Sequence, residues 1–418
     1  MRQNTASTTV LRIATTLAAT IACVVGTTAG APAQTTTDAQ TPSPAVVLTP
    51  DRDATRKPEP KPGSSPASGP ASSQSSCSTP TFDGRHSCVE VTATDTPPSG
   101  ALRRSPALIA GVTPPQWCDQ ANNQVWATRT QACIWQTVTY TTYRVTNGQR
   151  TTTGQASLIV MQYNYTDTGL GRYAHQIDTS MYSGWGDATK ATIDGQATLT
   201  GPCTRTSATF PAKPLAPVNS WNTGESFFDS SLVGPATKGK CKTSWYLTFN
   251  NAGYDPAVVD YSMNEVRCDN ATAGRPGIGC VIPWSASNLV YTRTATPELA
   301  DHVTKAQASG LPSRLTRTED QTVIDSNRTK ACGSAPSVPG KSCDEYPIAT
   351  SEQGLNAGGT RRTQPGCGFT GVPTGTGPVG ASVCMIVATD NSSQGGTNTQ
   401  FFRRDRVLQG DPFNVVVQ

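Results

Sequence analysis

Histidine, charge and aromatic side chains are all scarce in this chain of 418 residues, which has three His, 15% charged residues and 6% aromatic ones. The three imidazoles (His86, His175 and His302) are far apart and lack a neighbouring acid-and-nucleophile pattern. They argue against a His-rich metal or proton-relay enzyme and for hydrogen-bonded structural or surface roles. A net charge of +4 is too weak to mark a protein that coats a polyanion. G-x-S-x-G, H-E-x-x-H and the Gly-rich phosphate loop are missing, which removes the commonest hydrolase, zinc-protease and nucleotide-binding signatures. No C-x-x-C and no Cys/His set with zinc spacing occurs, so structural zinc is disfavoured. No apolar run reaches the ~20 residues of a membrane span, and no repeat of solenoid length is present.

What the chain has instead is 37 Gly, 32 Pro and 13 Cys. That mixture suits a secreted, turn-rich β protein braced by disulfides. Residues 1–33 read as a secretory signal: Arg2 and Arg12 supply the positive end, Ile13–Gly26 the apolar run, and Ala31-Pro32-Ala33 the cleavage site. Its removal takes away Cys23 and leaves an even twelve Cys, in six sequence-adjacent couples whose connectivity the sequence leaves open. Residues 34–76, rich in Pro, Ser and Thr, read as a disordered linker with an extended spacer at Lys57–Pro62. Once the signal is cleaved, a monomer without membrane contact is expected.

From 77 to 317 the pattern is β throughout. Trp135–Val145 and Ser157–Tyr165 are strands flanking an Asn147-Gly148 turn, and further short strands follow at turn-punctuated spacing. The expectation is an antiparallel β-sandwich or jelly-roll-like domain with no chemistry of its own. Trp117, Trp126, Trp185 and Trp221 are candidates for a glycan or cell-wall polymer surface, with a core role as the alternative. One helix is expected at Pro297–Ala306, capped by Thr296. Residues 318–418 differ: helices near Glu319–Lys330 and Ser392–Arg404, and strands at Tyr346–Thr350, Ser382–Ala388 and Phe413–Val417, predict a compact α+β unit.

Acids and amides gather in that unit. Asp344 and Glu345 stand where a loop enters a strand, Glu352 follows, and Asp390-Asn391 precedes Gln394 at a helix start. Neighbours in a strand point to opposite faces, so a twist or bulge is needed to bring both Asp344 and Glu345 to one site. Oxygen ligands of this kind suit Mg²⁺ or Mn²⁺ acting on a phosphodiester. With no imidazole after His302, catalysis there has to run on carboxylates, amides and Arg, with or without a metal. Arg361-Arg362 and Arg403-Arg404, with Arg328, are the basic groups available for phosphate contacts.

Cys-Asp-Glu-Tyr-Pro-Ile-Ala-Thr (343–350), Asp-Asn-Ser-Ser-Gln-Gly-Gly (390–396) and Gly-Asp-Pro-Phe-Asn-Val (410–415) resemble, in order, the NucA/NucB deoxyribonuclease family of secreted bacterial endonucleases. The resemblance covers about residues 320–418. It implies a small ββα-metal-type nuclease core that cuts DNA with a divalent cation and little sequence specificity. Asp344 matches the family's catalytic Asp, for positioning or deprotonating water. Glu345 is its acidic partner and a candidate metal ligand, and Asn391 a metal-binding amide. Asp390, Gln394 and Glu352 are weaker assignments. The long insertion at Gly366–Gly380 and the Cys367/Cys384 couple depart from the small members of the family. The alternative is a non-catalytic exported binding or adhesion protein that keeps an inactive nuclease-like domain.

Overall fold

Runs of β-branched and aromatic residues build pleated strands wherever a partner can take up their backbone hydrogen bonds. A computed structural model of the chain describes residues 48, 50, 57–62, 76, 84–92, 97–98, 100–102, 112–232 and 234–418. The expected signal and most of the expected linker lie outside these residues. Strands Gln131–Thr146 and Gln149–Thr166 pair antiparallel across Asn147-Gly148. Both turn residues have positive φ, 50° and 72°, the conformation a two-residue type I′ hairpin requires.

Arg172–Gly186 continues this hairpin into an eight-stranded sheet, and Lys238–Asn250 is the centre of a six-stranded one. Ile134, Leu158, Val160 and Ile177 of the first sheet and Ile193, Trp245, Leu247 and Phe249 of the second lie in one buried cluster. The two sheets therefore share a core, to which each fully buried large apolar side chain contributes about 1.5–3 kcal/mol. Of the four Trp considered for a glycan surface, Trp117, Trp126 and Trp221 pack against the opposite face of the large sheet. Only Trp185 stands exposed.

Two described pieces of the Pro-rich segment are docked, one of them, Glu59–Pro60, an extended stretch within the expected spacer. Leu48 is buried against the large sheet. Glu59–Pro60 pairs with Trp126–Ala127, and the Glu59 carboxylate accepts hydrogen bonds from the Ala286 amide and the Arg314 guanidinium. Among the described residues five disulfides join the sequence-adjacent couples Cys118–Cys133, Cys203–Cys241, Cys268–Cys280, Cys332–Cys343 and Cys367–Cys384. No described helix is long and apolar enough to cross a membrane.

A further core runs from Leu289 to Val415 and so draws on residues upstream of position 318. Helix α1, Pro297–Ala308, buries Leu299, Val303 and Ala306 along one stripe. Helix α2 spans Gln321–Cys332, and helix α3 spans Ala388–Arg404. Strand Gly380–Val387 is the middle of a three-stranded sheet, antiparallel to Lys341–Tyr346 and parallel to Thr360–Thr363. Pro412–Val417 lies between Ser287–Tyr291 and Arg314–Thr316 in a second small sheet.

Residues 47–418 form one compact unit, and a buried charge cluster joins its β-rich and C-terminal parts. Arg129, fully buried, donates to the carbonyls of Ile282, Pro283, Ser285, Asp405 and Arg406 and to the Asp411 carboxylate. Arg267 reaches both oxygens of Asp411 at 2.6 Å, and Arg406 reaches Asp269 at 2.9 Å. Burial alone raises the Asp411 carboxyl, but the charges of Arg129 and Arg267 outweigh it and hold the group below the usual carboxylate range.

Asp411→Asn is expected to destabilise the protein by about 3–5 kcal/mol, because it leaves buried guanidinia uncompensated. The stability that Asp411 lends is present above the unfolded carboxylate value near ~4 and is lost as pH falls through its lower folded value. Urea unfolding across pH 2–7 checks both statements: the gap between wild type and Asp411→Asn narrows toward the acid end.

Candidate active site

The strand Lys341–Tyr346 starts five residues before the expected one, so Asp344 and Glu345 lie inside it rather than at its entry. Its pairing with Gly380–Val387 is continuous, with no bulge. The alternation of a regular strand therefore sends the two carboxylates to opposite faces.

Asp344 points to the buried face. Its Oδ2 is 2.6 Å from His302 Nδ1, and His302 Nε2 is 3.0 Å from Ser382 Oγ. With Asp344 ionised and the imidazole neutral, Nδ1 donates to the carboxylate and Nε2 accepts from the hydroxyl. Ser382, His302 and Asp344 thus follow the order of a hydrolytic triad. They are 0%, 0% and 1% exposed, so no substrate reaches the hydroxyl. His302, placed by sequence in the β-rich part, belongs to the C-terminal core. That corrects the picture of a unit without an imidazole. It is brought in by α1, whose buried stripe docks it there.

Glu345 points the other way, into a pocket of about 510 Å³ whose lining includes Arg317, Arg328, Asn391, Gln394, Asn398 and Phe402. Burial, and then the neighbouring charge of Asp344, raise the Glu345 carboxyl to about 7. The Cys332–Cys343 disulfide forms part of the pocket wall, and Cys332 Sγ is 3.5 Å from Glu345 Oε2. Asn391, in the first turn of α3, donates from Nδ2 to Ser342 Oγ and to the Cys343 carbonyl, each at 2.9 Å. Those bonds fix the amide with Oδ1 as its remaining acceptor.

The other expected site residues divide. Gln394 and Arg328 line the pocket. Asp390 does not: its Oδ2 accepts from the backbone amides of Glu298 and Leu299, at 2.9 and 3.4 Å. It therefore caps α1 across 92 residues of sequence. Thr296, expected in that role, turns its hydroxyl back to the Thr292 carbonyl. Glu298 returns the contact by accepting from the Val387 amide at the start of α3. Glu352 is exposed and accepts from Gln409.

The expected basic clusters do not line this pocket. Arg362 is buried and donates to the carbonyls of Gly377 and Val379. Arg361 reaches Ser334 and stacks on Phe369. Arg403 donates to the Ala273 carbonyl, and Arg404 pairs with buried Asp405. The guanidinium that enters the pocket beside Arg328 is Arg317, which no motif marked.

Among the described residues no three His, Cys, Asp or Glu side chains gather as a metal-binding group. The pocket does offer the Glu345 carboxylate and the Asn391 amide oxygen. Those are hard oxygen donors of the kind Mg²⁺ accepts in ones and twos, with water and phosphate completing its shell.

Because Glu345 is raised from 4.5 to about 7, its ionisation opposes folding. The favourable protonated state is intact below the unfolded value and is lost as pH rises through about 7. Glu345→Gln is therefore expected to match wild type near pH 4 and to exceed it at pH 8, by at most roughly 3 kcal/mol. Denaturant unfolding in EDTA at the two pH values measures this. Equal stability at pH 8 contradicts it.

No curated protein sequence matches the chain. The part that carries His302, the Asp344–Glu345 strand, the pocket and Asp411, residues 300–416, matches the family model of the NucA/NucB deoxyribonucleases.

Proposed function

We propose that this protein is an exported, metal-dependent endodeoxyribonuclease of low sequence specificity whose reaction runs in the Glu345 pocket. The observation that carries the reading is Glu345 itself. It is a part-buried carboxylate, raised to about 7, opposite an amide and two guanidinia in a pocket of the family-matched region. A general base works best when its pKa lies near the operating pH. Five disulfides support export.

On this reading the two core-sharing sheets are a β-sandwich. Strands 341–346 and 380–387 with α3 are the ββα-metal-type core. Glu345 and Asn391 would hold Mg²⁺ or Mn²⁺, which supplies charge neutralisation on the phosphodiester and a more acidic water. Glu345 holds or accepts the proton of the attacking water, Arg328 attracts the phosphate backbone, and Gln394 orients the diester from α3. Asp344 acts from behind the strand. Paired to His302, it sits behind Glu345 and adds to burial in raising that carboxyl.

The burial of Asp344 favours one alternative, a non-catalytic exported binding or adhesion protein with a nuclease-like domain. Incubating the purified full chain with plasmid, with Mg²⁺, Mn²⁺ or EDTA, separates the two. The nuclease reading expects nicking and linearisation with metal, none with EDTA, and a loss of ~100-fold or more in Glu345→Gln. Intact plasmid under every metal selects the binding protein.

A further inference from the structure

Arg317 is a charged group whose own fold leaves it under-used. Its guanidinium lies 4.0 Å over the Phe402 ring. Its one hydrogen bond among the described residues is from Nη1 to the Thr350 carbonyl, at 3.4 Å. Nε is buried with no acceptor, and burial pulls the group's pKa below its ordinary value. No carboxylate forms an ion pair with it among the described residues. Arg129, Arg267 and Arg406, by contrast, are matched to carboxylates and carbonyls at nearly every donor. A buried donor without an acceptor costs about 1–3 kcal/mol, so an Arg held in this state is poised for an anion that arrives from outside.

Its position says which anion. Arg317 and Glu345 line the same pocket, with Asn391 and Gln394. The Arg317 backbone is held on both sides, its amide donating to the Asp411 carbonyl and its carbonyl accepting from the Gly410 amide, each at 2.9 Å. The aromatic face beneath it restricts the planar fork and leaves its edge free. A planar fork with free donors matches two oxygens of a phosphodiester.

We propose that Arg317 binds the phosphodiester that is cleaved and sets it against Glu345. Arg328, with its exposed side chain and a single pairing at 3.9 Å to Asp325, attracts the strand more diffusely. This deepens the nuclease reading and rests on it.

The test separates binding from cleavage. Full-length Glu345→Gln protein in EDTA is titrated with a short fluorescein-labelled DNA duplex from 25 to 200 mM KCl, with and without Arg317→Ala. Loss of one phosphate contact is expected to weaken binding ~10-fold at low salt and to lower the slope of log K against log salt by about 0.9. On otherwise wild-type protein, Arg317→Lys keeps the charge and loses the fork. It is expected to retain the salt slope and KM while kcat falls at least ~10-fold.

A purely structural role predicts the reverse, a lower melting temperature with kcat preserved in the folded fraction. Equal affinity and slope for the double variant overturn the proposal, as does full kcat in Arg317→Lys, which also serves where Arg317→Ala does not fold. Failure of the wild type to cut DNA under any metal overturns the nuclease reading instead, and the binding comparison still decides whether Arg317 holds a phosphate.

Discussion

Everything about the candidate site hangs from the buried meeting of Arg129 and Arg267 with Asp411. Two guanidinia and a carboxylate withdrawn from water gain little net energy relative to an apolar contact of the same volume. Their contribution is of another kind. The fork of Arg129 and the two oxygens of Asp411 admit few relative placements, so the cluster specifies where the C-terminal part sits on the β-rich part. Asp411 and its chain neighbour Gly410 also hold the Arg317 backbone from both sides. A charge cluster at the seam is thus one backbone hydrogen bond from a wall of the pocket. Gly-Asp-Pro-Phe, read from sequence as a nuclease motif, places its acid in this cluster and not at the chemistry.

Much of the architecture was legible where the deciding interaction is local. The β-branched runs formed strands, and Asn147-Gly148 formed a hairpin turn because both residues tolerate positive φ. Helix α1 appeared where Pro297 at its first position placed it. Disulfides between neighbouring Cys in the chain followed the couples. Short loops keep such pairs close before any tertiary contact forms.

What the sequence concealed depends on partners far apart in the chain. Asp390 at the start of a helix looks like a cap for its own helix or a ligand, and caps a different helix. His302 looks isolated because its acid lies 42 residues away and its hydroxyl 80. The Arg pairs at 361–362 and 403–404 read as a substrate surface, yet backbone carbonyls and Asp405 claim much of them. Burial of an Arg is paid for by whichever acceptors the fold happens to expose, and no local pattern records those. Arg317 had no signal at all, since its meaning is the absence of such acceptors.

The adjacent acids Asp344 and Glu345 show how little separates a structural carboxylate from a chemical one. A slip of one residue in the pairing of 341–346 with 380–387 would exchange them, sending Glu345 toward His302 and Asp344 into the pocket. Two disulfides stand against that slip from opposite faces. Cys343 shares the Glu345 face and is tied to the end of α2. Cys384, directly across from Asp344 in the pairing, is tied on the buried face to Cys367. Each bridge closes a short loop, of 11 and 17 residues, so its contribution to overall stability is at the modest end. Its larger effect is on register. A covalent tie at Cys343 fixes which odd-numbered side chains face α2, and one at Cys384 fixes which side chains of the partner strand face α1. With this register Glu345 faces the pocket and Asp344 faces the buried His302.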